Sequence, residues 1–204
     1  MTDSHAGRCH AQLDELVKRV CDCREAFAGL FDHFYPVVFV FCLRRLVDRT
    51  LAEDITSEVF LKVARAVHQF SGKTTEDFRR WLFRIATNEI NAQLRKQITR
   101  ERLLAQAVRL GQIQPAAIQP IIDTPFSVKW AQVYELLSEL DEREQTIISL
   151  RYFAGSSFEE IAAILDSTPD AIRKAHSRTL KRLRDRLLSN LENSHPQPKS
   201  AGGG

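Results

Sequence analysis

The feature that most constrains this chain is a run at residues 157–188, where a short capped helix, a four-residue turn and a long cationic helix follow in immediate succession. Ser157-Phe158-Glu159-Glu160 reads as a capping box, with Ile161, Ala162, Ile164 and Leu165 supplying the apolar face behind it. Asp166-Ser167-Thr168-Pro169 reads as a tight turn, in which Thr168 can cap the free amides of the next helix and Pro169 suits its first position. On that next helix Asp170, Arg173, Lys174, Ser177, Arg178 and Lys181 recur at three-and-four spacing and share one face, while Ile172, Thr179, Leu183 and Leu187 fall on another. Small Ala162 and Ala163 allow the two helices to cross closely. The pattern is a helix-turn-helix whose second helix is built to lie on DNA. An ordinary helical hairpin made basic for solubility would scatter its cations, and the one-sided placement argues against it.

The 204 residues allow two small domains, and 44% hydrophobic content is enough for real cores. The formal net charge is only +3, but it is unevenly spread. Arg79, Arg80, Arg84, Arg95, Lys96, Arg100, Arg102 and Arg109 are opposed in their stretch only by Glu89 and Glu101, whereas residues 51–60 hold Glu53, Asp54 and Glu58 without a base. Two separate basic surfaces suggest two contacts with one polyanion. The polar start of the chain does not read as a signal peptide, and the best apolar run, 37–43, is too short for a bilayer, so a cytoplasmic protein with no membrane insertion is expected. Cys9, Cys21, Cys23 and Cys42 are few and irregularly spaced, which fits reduced thiols. His5, Cys9, His10, Cys21 and Cys23 are zinc-type ligands, but their spacing matches no standard finger, so no metal and no cofactor are expected; Cys42 reads as a small core residue.

Leu13, Leu16, Val17 and Val20 suggest a short N-terminal helix. Helical spacing resumes at Phe27, Leu30, Phe31 and Phe34, meets Pro36, which should kink or break the helix, and continues to about Val47. Thr50-Leu51-Ala52-Glu53 reads as the capping box of the next helix, which ends near Phe70-Ser71-Gly72. Thr75 is placed to cap a helix with Glu76 and Asp77 in its first turn, running to about Leu104 or beyond. Gly111, Pro115 and Pro120 mark a linker, Thr124-Pro125 a helix restart, and Asp141-Glu142-Arg143-Glu144 the opening of a further helix. The expected organisation is all-α with an N-terminal extension at 1–24, helical domains at 25–104 and 124–192, a flexible linker at 105–123, and a disordered tail at 193–204.

Three stretches, in this order, resemble the extracytoplasmic-function (group IV) sigma factors of bacterial RNA polymerase. Leu51-Ala52-Glu53-Asp54-Ile55-Thr56-Ser57-Glu58-Val59-Phe60-Leu61-Lys62-Val63 is similar to the region-two helix that docks on core polymerase. Phe78-Arg79-Arg80-Trp81-Leu82-Phe83-Arg84-Ile85-Ala86-Thr87-Asn88 is similar to the promoter-melting and minus-ten segment. Residues 140–155 followed by the helix-turn-helix are similar to region four.

The resemblance implies that the charged stripe of Glu53, Asp54, Glu58 and Lys62 meets core polymerase. On the second stretch Arg80, Arg84, Asn88, Asn91 and Arg95 share a face that mixes phosphate-seeking guanidinium groups with amides able to read base edges. By resemblance the loop from Phe70 to Thr75 holds an unstacked minus-ten base, with Asn88 close by. Trp81, four residues before Ile85, reads as core. On the recognition helix Arg173, Lys174, Ser177 and Arg178, with Asp170 on the same face, are the expected minus-thirty-five residues, and Lys181, Arg182 and Arg184 are expected on the phosphate backbone. Asp166 stands where the family commonly has glycine, and Ala175 where it commonly has a base.

The expected function is therefore that of a promoter-specificity subunit, not an enzyme, whose partners are core RNA polymerase and promoter DNA; the resemblance also admits an anti-sigma partner. A stand-alone helix-turn-helix regulator is the alternative, but it leaves the Asp54/Glu58 surface and the Arg84/Asn88 face without a role. A helical-bundle metalloenzyme using Glu53, Asp54, Glu58 and His68 lacks the Glu-x-x-His pairs such a site needs.

Overall fold

The computed structural model describes residues 3–110 and 136–194, and among these all regular structure is helical. The first half is a bundle of α1 (Asp3–Arg19), α2 (Arg24–Leu46), α3 (Arg49–Ala66), a 3-10 turn (Val67–Gln69) and α4 (Thr75–Arg109). Each helix lends one stripe to the core. Leu13 and Val17 come from α1 and Val20 from the turn after it, while α2 gives Leu30, Phe34, Val38 and Phe41. Val59, Phe60 and Val63 come from α3, and Phe78, Leu82, Phe83 and Ile90 from α4. Aromatic edges lock these stripes together: Phe31 meets Phe60 at 4.8 Å, Phe41 meets Phe83 at 5.2 Å and Phe34 meets Phe78 at 5.5 Å between centroids. Cys42 is fully buried among them, as its apolar setting predicts. Helix α1 lies so close to α2 that a β-carbon on Gly29 would come within 2.8 Å of Leu16 Cδ1.

Pro36 does not break α2, which runs unbroken on both sides of it. The ring sits on the exposed side, and the buried neighbours Phe34 and Val38 hold the helix in place, outweighing the roughly 3 kcal/mol that an interior proline costs. By length and composition alone α2 is also apolar enough to cross a bilayer, which the short run 37–43 did not suggest; its buried residues supply the centre of the bundle, and Arg44 and Arg45 close its last turn. The helix ends on Val47 in the left-handed region at φ 58, and Asp48 opens the next one at once. Helix α3 thus starts at Arg49 rather than at a Thr50 cap, because the Asp48 carboxylate accepts from Leu51 N at 2.8 Å. Thr75 does not cap α4 either. Thr74 Oγ1 accepts from Asp77 N at 3.2 Å while Asp77 Oδ2 accepts from Thr74 N at 3.1 Å, a reciprocal box one residue earlier than expected.

The second half holds α5 (Glu142–Tyr152), α6 (Phe158–Ile164) and α7 (Pro169–Ser194). Both expected capping boxes are present, Asp141 with Glu144 and Ser157 with Glu160. Pro169 is the first residue of α7, and Thr168 Oγ1 accepts from Ala171 N at 3.3 Å. Asp166 adopts φ 47, the left-handed turn that would suit glycine. Ile147, Leu150, Ile161, Ala162, Ile172 and Thr179 close the core. Two residues expected on packed faces are not there: Ala163 and Leu187 are exposed, so Ala162 alone makes the close crossing. Residues 105–109, expected in the linker, extend α4; positions 111–123, Thr124-Pro125 and the tail from His195 lie outside the described residues.

Candidate nucleic-acid interface

The N-terminal end of α4 builds a cleft. The 3-10 turn delivers Phe70, whose ring packs 5.1 Å from Trp81 and 5.6 Å from Phe78. Asp77 accepts from Lys73 N and Thr74 N, both at 3.1 Å, and pairs with Arg80. The Lys73 amide foremost pulls the Asp77 carboxyl down to about 2; burial opposes it, and the Thr74 and Arg80 groups add to the fall. Gly72 fits where no side chain would, since a β-carbon there would stand 2.4 Å from the Phe70 ring and 2.6 Å from Asp77 Cβ. The result is a cleft of about 490 Å³ lined by Gln69, Phe70, Ser71, Gly72, Lys73, Asp77 and Trp81. Trp81 is half-buried, so it serves the core and the cleft wall together.

Further along α4 the expected DNA face is divided. Asn88 is exposed, with no side-chain partner among the described residues. Three of its companions are engaged by the second half of the chain: Arg84 pairs with Asp166, Asn91 Nδ2 donates to Thr146 Oγ1 at 3.4 Å, and Arg95 Nη1 contacts both Glu142 oxygens at 2.7 and 2.9 Å. Arg79, absent from the expected contacts, makes the most sheltered link. It donates to Glu160 Oε1 at 2.5 Å and to the Ala154 carbonyl, with its guanidinium 5.1 Å from the Phe83 centroid. Arg45 completes the seam by donating to Gln145 Oε1 at 2.5 Å, its other terminal nitrogen having no hydrogen-bond partner among the described residues. Burial lowers Arg45 to about 10, against an opposing pull from Glu142. The matching acids Glu142, Glu160 and Asp166 were the available signal, but charge sign alone does not say which base meets which acid across this separation.

On α7 the cations fall into two groups. Arg173 donates to Asp170 Oδ1 at 2.9 Å, pairs with Glu159 and lies 5.8 Å from the Phe158 centroid, so Asp170 orients a neighbouring arginine. Arg182 pairs with Glu144, which also accepts from Thr179 Oγ1 at 3.2 Å, and Arg186 pairs with Glu139 at 3.2 Å. Lys174, Arg178 and Lys181 are exposed and without an ion-pair partner among the described residues; Lys174, Ser177 and Arg178 share a shallow cleft with Arg173. His176 was not anticipated. It stacks 5.7 Å from Tyr152 and meets Phe158 edge-on at 5.2 Å, and burial, then the positive Arg151, lowers its pKa.

The acidic stripe lies on the outer side of α3. Asp54 is exposed and Glu58 half-buried, neither with an ion-pair partner among the described residues. Glu53 pairs with Arg49 at 3.0 Å, and Lys62 binds Glu89 of α4 at 2.6 Å, so Lys62 cross-links the bundle as well as edging this surface. Leu61 is exposed beside them.

A helical bundle with an aromatic-walled cleft, joined in one chain to a helix-turn-helix with an open cationic face, defines a two-module DNA-binding protein. Residues 30–99 match the family model of Sigma-70 region 2, and residues 136–185 match that of Sigma-70, region 4. RNA polymerase sigma factor CarQ of Myxococcus xanthus is 31% identical over 169 residues, covering 83% of this chain and 92% of that protein. ECF RNA polymerase sigma factor SigX of Bacillus subtilis is 28% identical over 167 residues, covering 80% and 84%. Among solved structures, the sigma factor RpoE of Bartonella quintana, crystallised with the anti-sigma factor NepR, superposes with a TM-score of 0.58 at 24% identity, covering 79% of this chain and 96% of that one. The chain belongs to the sigma-70 family, in its ECF branch. It directs promoter-specific initiation by RNA polymerase and is not an enzyme; the stand-alone regulator is not favoured.

Proposed function

We propose a division of labour among the surfaces of this sigma factor, with domain limits at 25–104 and 124–192. Lys174, Ser177 and Arg178 read the minus-thirty-five element, Lys181 holds its phosphates, and Arg173 reaches the same groove from its carboxylate holder. The observation that carries this part is the exposed trio Lys174, Arg178 and Lys181, unpaired among the described residues on a helix whose other cations face carboxylates. The cleft at Phe70, Gly72 and Trp81 receives an unstacked minus-ten base, and Arg80 and Asn88 flank the strand. Asp54 and Glu58, with Glu53 and Lys62 at the edge, meet core polymerase. Because Arg84, Asn91 and Arg95 are held by Asp166, Thr146 and Glu142, their use on promoter DNA requires the two halves to part. An anti-sigma partner, such as the one crystallised with the Bartonella sigma factor, and a cytoplasmic location belong to the same reading. The test pairs two double variants. Lys174→Ala with Arg178→Ala is expected to lose minus-thirty-five recognition with core binding intact, and Asp54→Ala with Glu58→Ala to do the reverse. Equal loss of both activities in both variants would refute the division.

A further inference from the structure

The N-terminal extension precedes the matched family segment, yet it grips both ends of the cleft loop. Asp14 of α1 reaches across the bundle. Its Oδ1 accepts from Thr75 N at 2.6 Å and from Thr75 Oγ1 at 2.6 Å, across 61 positions of sequence. Thr75 is the first residue of α4, and its amide is one of the donors that a helix start leaves without an internal partner. Asp14 thus supplies from another helix the partner for an amide that the local Thr74–Asp77 box does not serve, and places a carboxylate at the positive end of α4. Thr75 is buried, so water is a poor substitute. At the loop entry the Cys21 thiol lies 3.2 Å from the Val67 carbonyl and 3.4 Å from that of Phe70, two weak contacts at the turn that aims the Phe70 ring. Leu13 and Val17 flank Asp14 in the core, so its backbone does not drift.

We propose that α1 is a positioning element for the minus-ten cleft, with Asp14 as its positioning residue. This rests on the reading that the loop receives a base. The chain is tethered at residues 67 and 70 on one side and at 75 on the other, leaving only the short arc of Ser71, Gly72, Lys73 and Thr74 between. Asp77 fixes the far half of that arc through the Lys73 and Thr74 amides. Removing the Asp14 carboxylate frees the start of α4 and, with it, the carboxylate that shapes the arc. The expected loss is in selectivity among bases, because a looser cleft accepts more shapes, rather than in polymerase affinity or minus-thirty-five contact.

The experiment uses the full chain with core RNA polymerase and promoter templates carrying each of the four bases at every minus-ten position. Run-off transcription from each template is the readout, with thermal melting and core affinity measured alongside. Asp14→Ala is expected to flatten the preference at one position from about tenfold, the order of a single well-read base, to about twofold. Asp14→Asn, which keeps an acceptor oxygen in place, is expected to retain most of the preference. Should Asp14→Ala not fold, Asp14→Glu keeps the charge, shifts the acceptor by one methylene and is expected to flatten the same position. Phe70→Ala tests the underlying reading. If Phe70→Ala flattens a preference while the folded Asp14 variants scale all templates equally, Asp14 only stabilises the fold and the proposal fails. If Phe70→Ala alters no preference, the base-cleft reading fails and takes the proposal with it.

Discussion

Glu160→Gln is the sharpest test of how the two halves of this sigma factor hold each other. Glu160 makes two contacts with separate oxygens: Oε2 accepts from Ser157 N at 2.7 Å within the α6 capping box, and Oε1 accepts from Arg79 at 2.5 Å across the seam. A glutamine can keep the first and loses the charge of the second. Breaking one partner of a fully buried pair costs about 3–5 kcal/mol, but here the side chains keep 20% and 18% of their exposure, and Arg79 retains the Ala154 carbonyl and the Phe83 ring. The expected cost is about 2 kcal/mol, drawn from the range for hydrogen bonds to charged groups. At about 1.4 kcal/mol per factor of ten, that is roughly a thirtyfold shift toward parted halves. Amide hydrogen exchange on the free protein reads it directly. Protection should fall along the seam, around Asn91 and Arg95 on α4 and around Thr146 on α5, while the cores around Leu30 and Ile161 keep theirs. Small-angle scattering should show an expanded particle. Unchanged seam protection, or a uniform fall in both cores, would refute the argument that this pair latches the seam.

Other measurements follow from the same geometry. Lys174→Ala with Arg178→Ala should weaken minus-thirty-five duplex binding and relax its sequence preference, whereas Lys181→Ala should weaken binding evenly across sequences and lower the salt slope by about one. Gly72→Ala should destabilise the protein by about 1–3 kcal/mol and impair promoter opening, because the β-carbon collides with the Phe70 ring and with Asp77 Cβ; calorimetry and permanganate footprinting check the two effects. The Asp77 carboxyl is depressed in the folded state, so its contribution is present above the ordinary carboxylate value. It is lost as pH falls from about 4 toward 2, where the start of α4 should fray first by exchange. Burial raises the Cys42 thiol to about 11, so a thiol reagent at pH 8 should label exposed Cys21 and leave Cys42 untouched until the protein unfolds.

What could be read from the sequence was what local physics decides. The boxes at Asp141/Glu144 and Ser157/Glu160, the Thr168 cap and the left-handed Asp166 each depend on groups within four residues. Local rules failed where two local answers compete or a distant group intervenes. Asp48 and Thr50 are both good caps, and only the geometry after Val47 selects Asp48. Thr75 has a capping side chain, but Asp14 claims it and Thr74 takes the role. Pro36 breaks a helix that stands alone, and α2 does not stand alone. The cationic residues of α4 were legible as a basic face; their pairing with Asp166 and Glu142 was not, because those acids lie 82 and 47 positions away and nothing in spacing selects them. On α7 the sequence showed one cationic surface, and only packing separates Arg173 and Arg182, which face Glu159 and Glu144, from Lys174, Arg178 and Lys181.

The 35 residues of α4 form one uninterrupted helix, which at 1.5 Å per residue is a rod of about 52 Å. One end carries the cleft at Phe70 and Trp81; the other is where the chain leaves for residues 111–135. A rod transmits position. The departure point of the connecting chain is therefore a fixed distance from the cleft, comparable with about fifteen base steps of DNA at 3.4 Å each. The helix acts as a gauge between the cleft and Leu110, and adding or removing a turn of it would change where the second reading head can land.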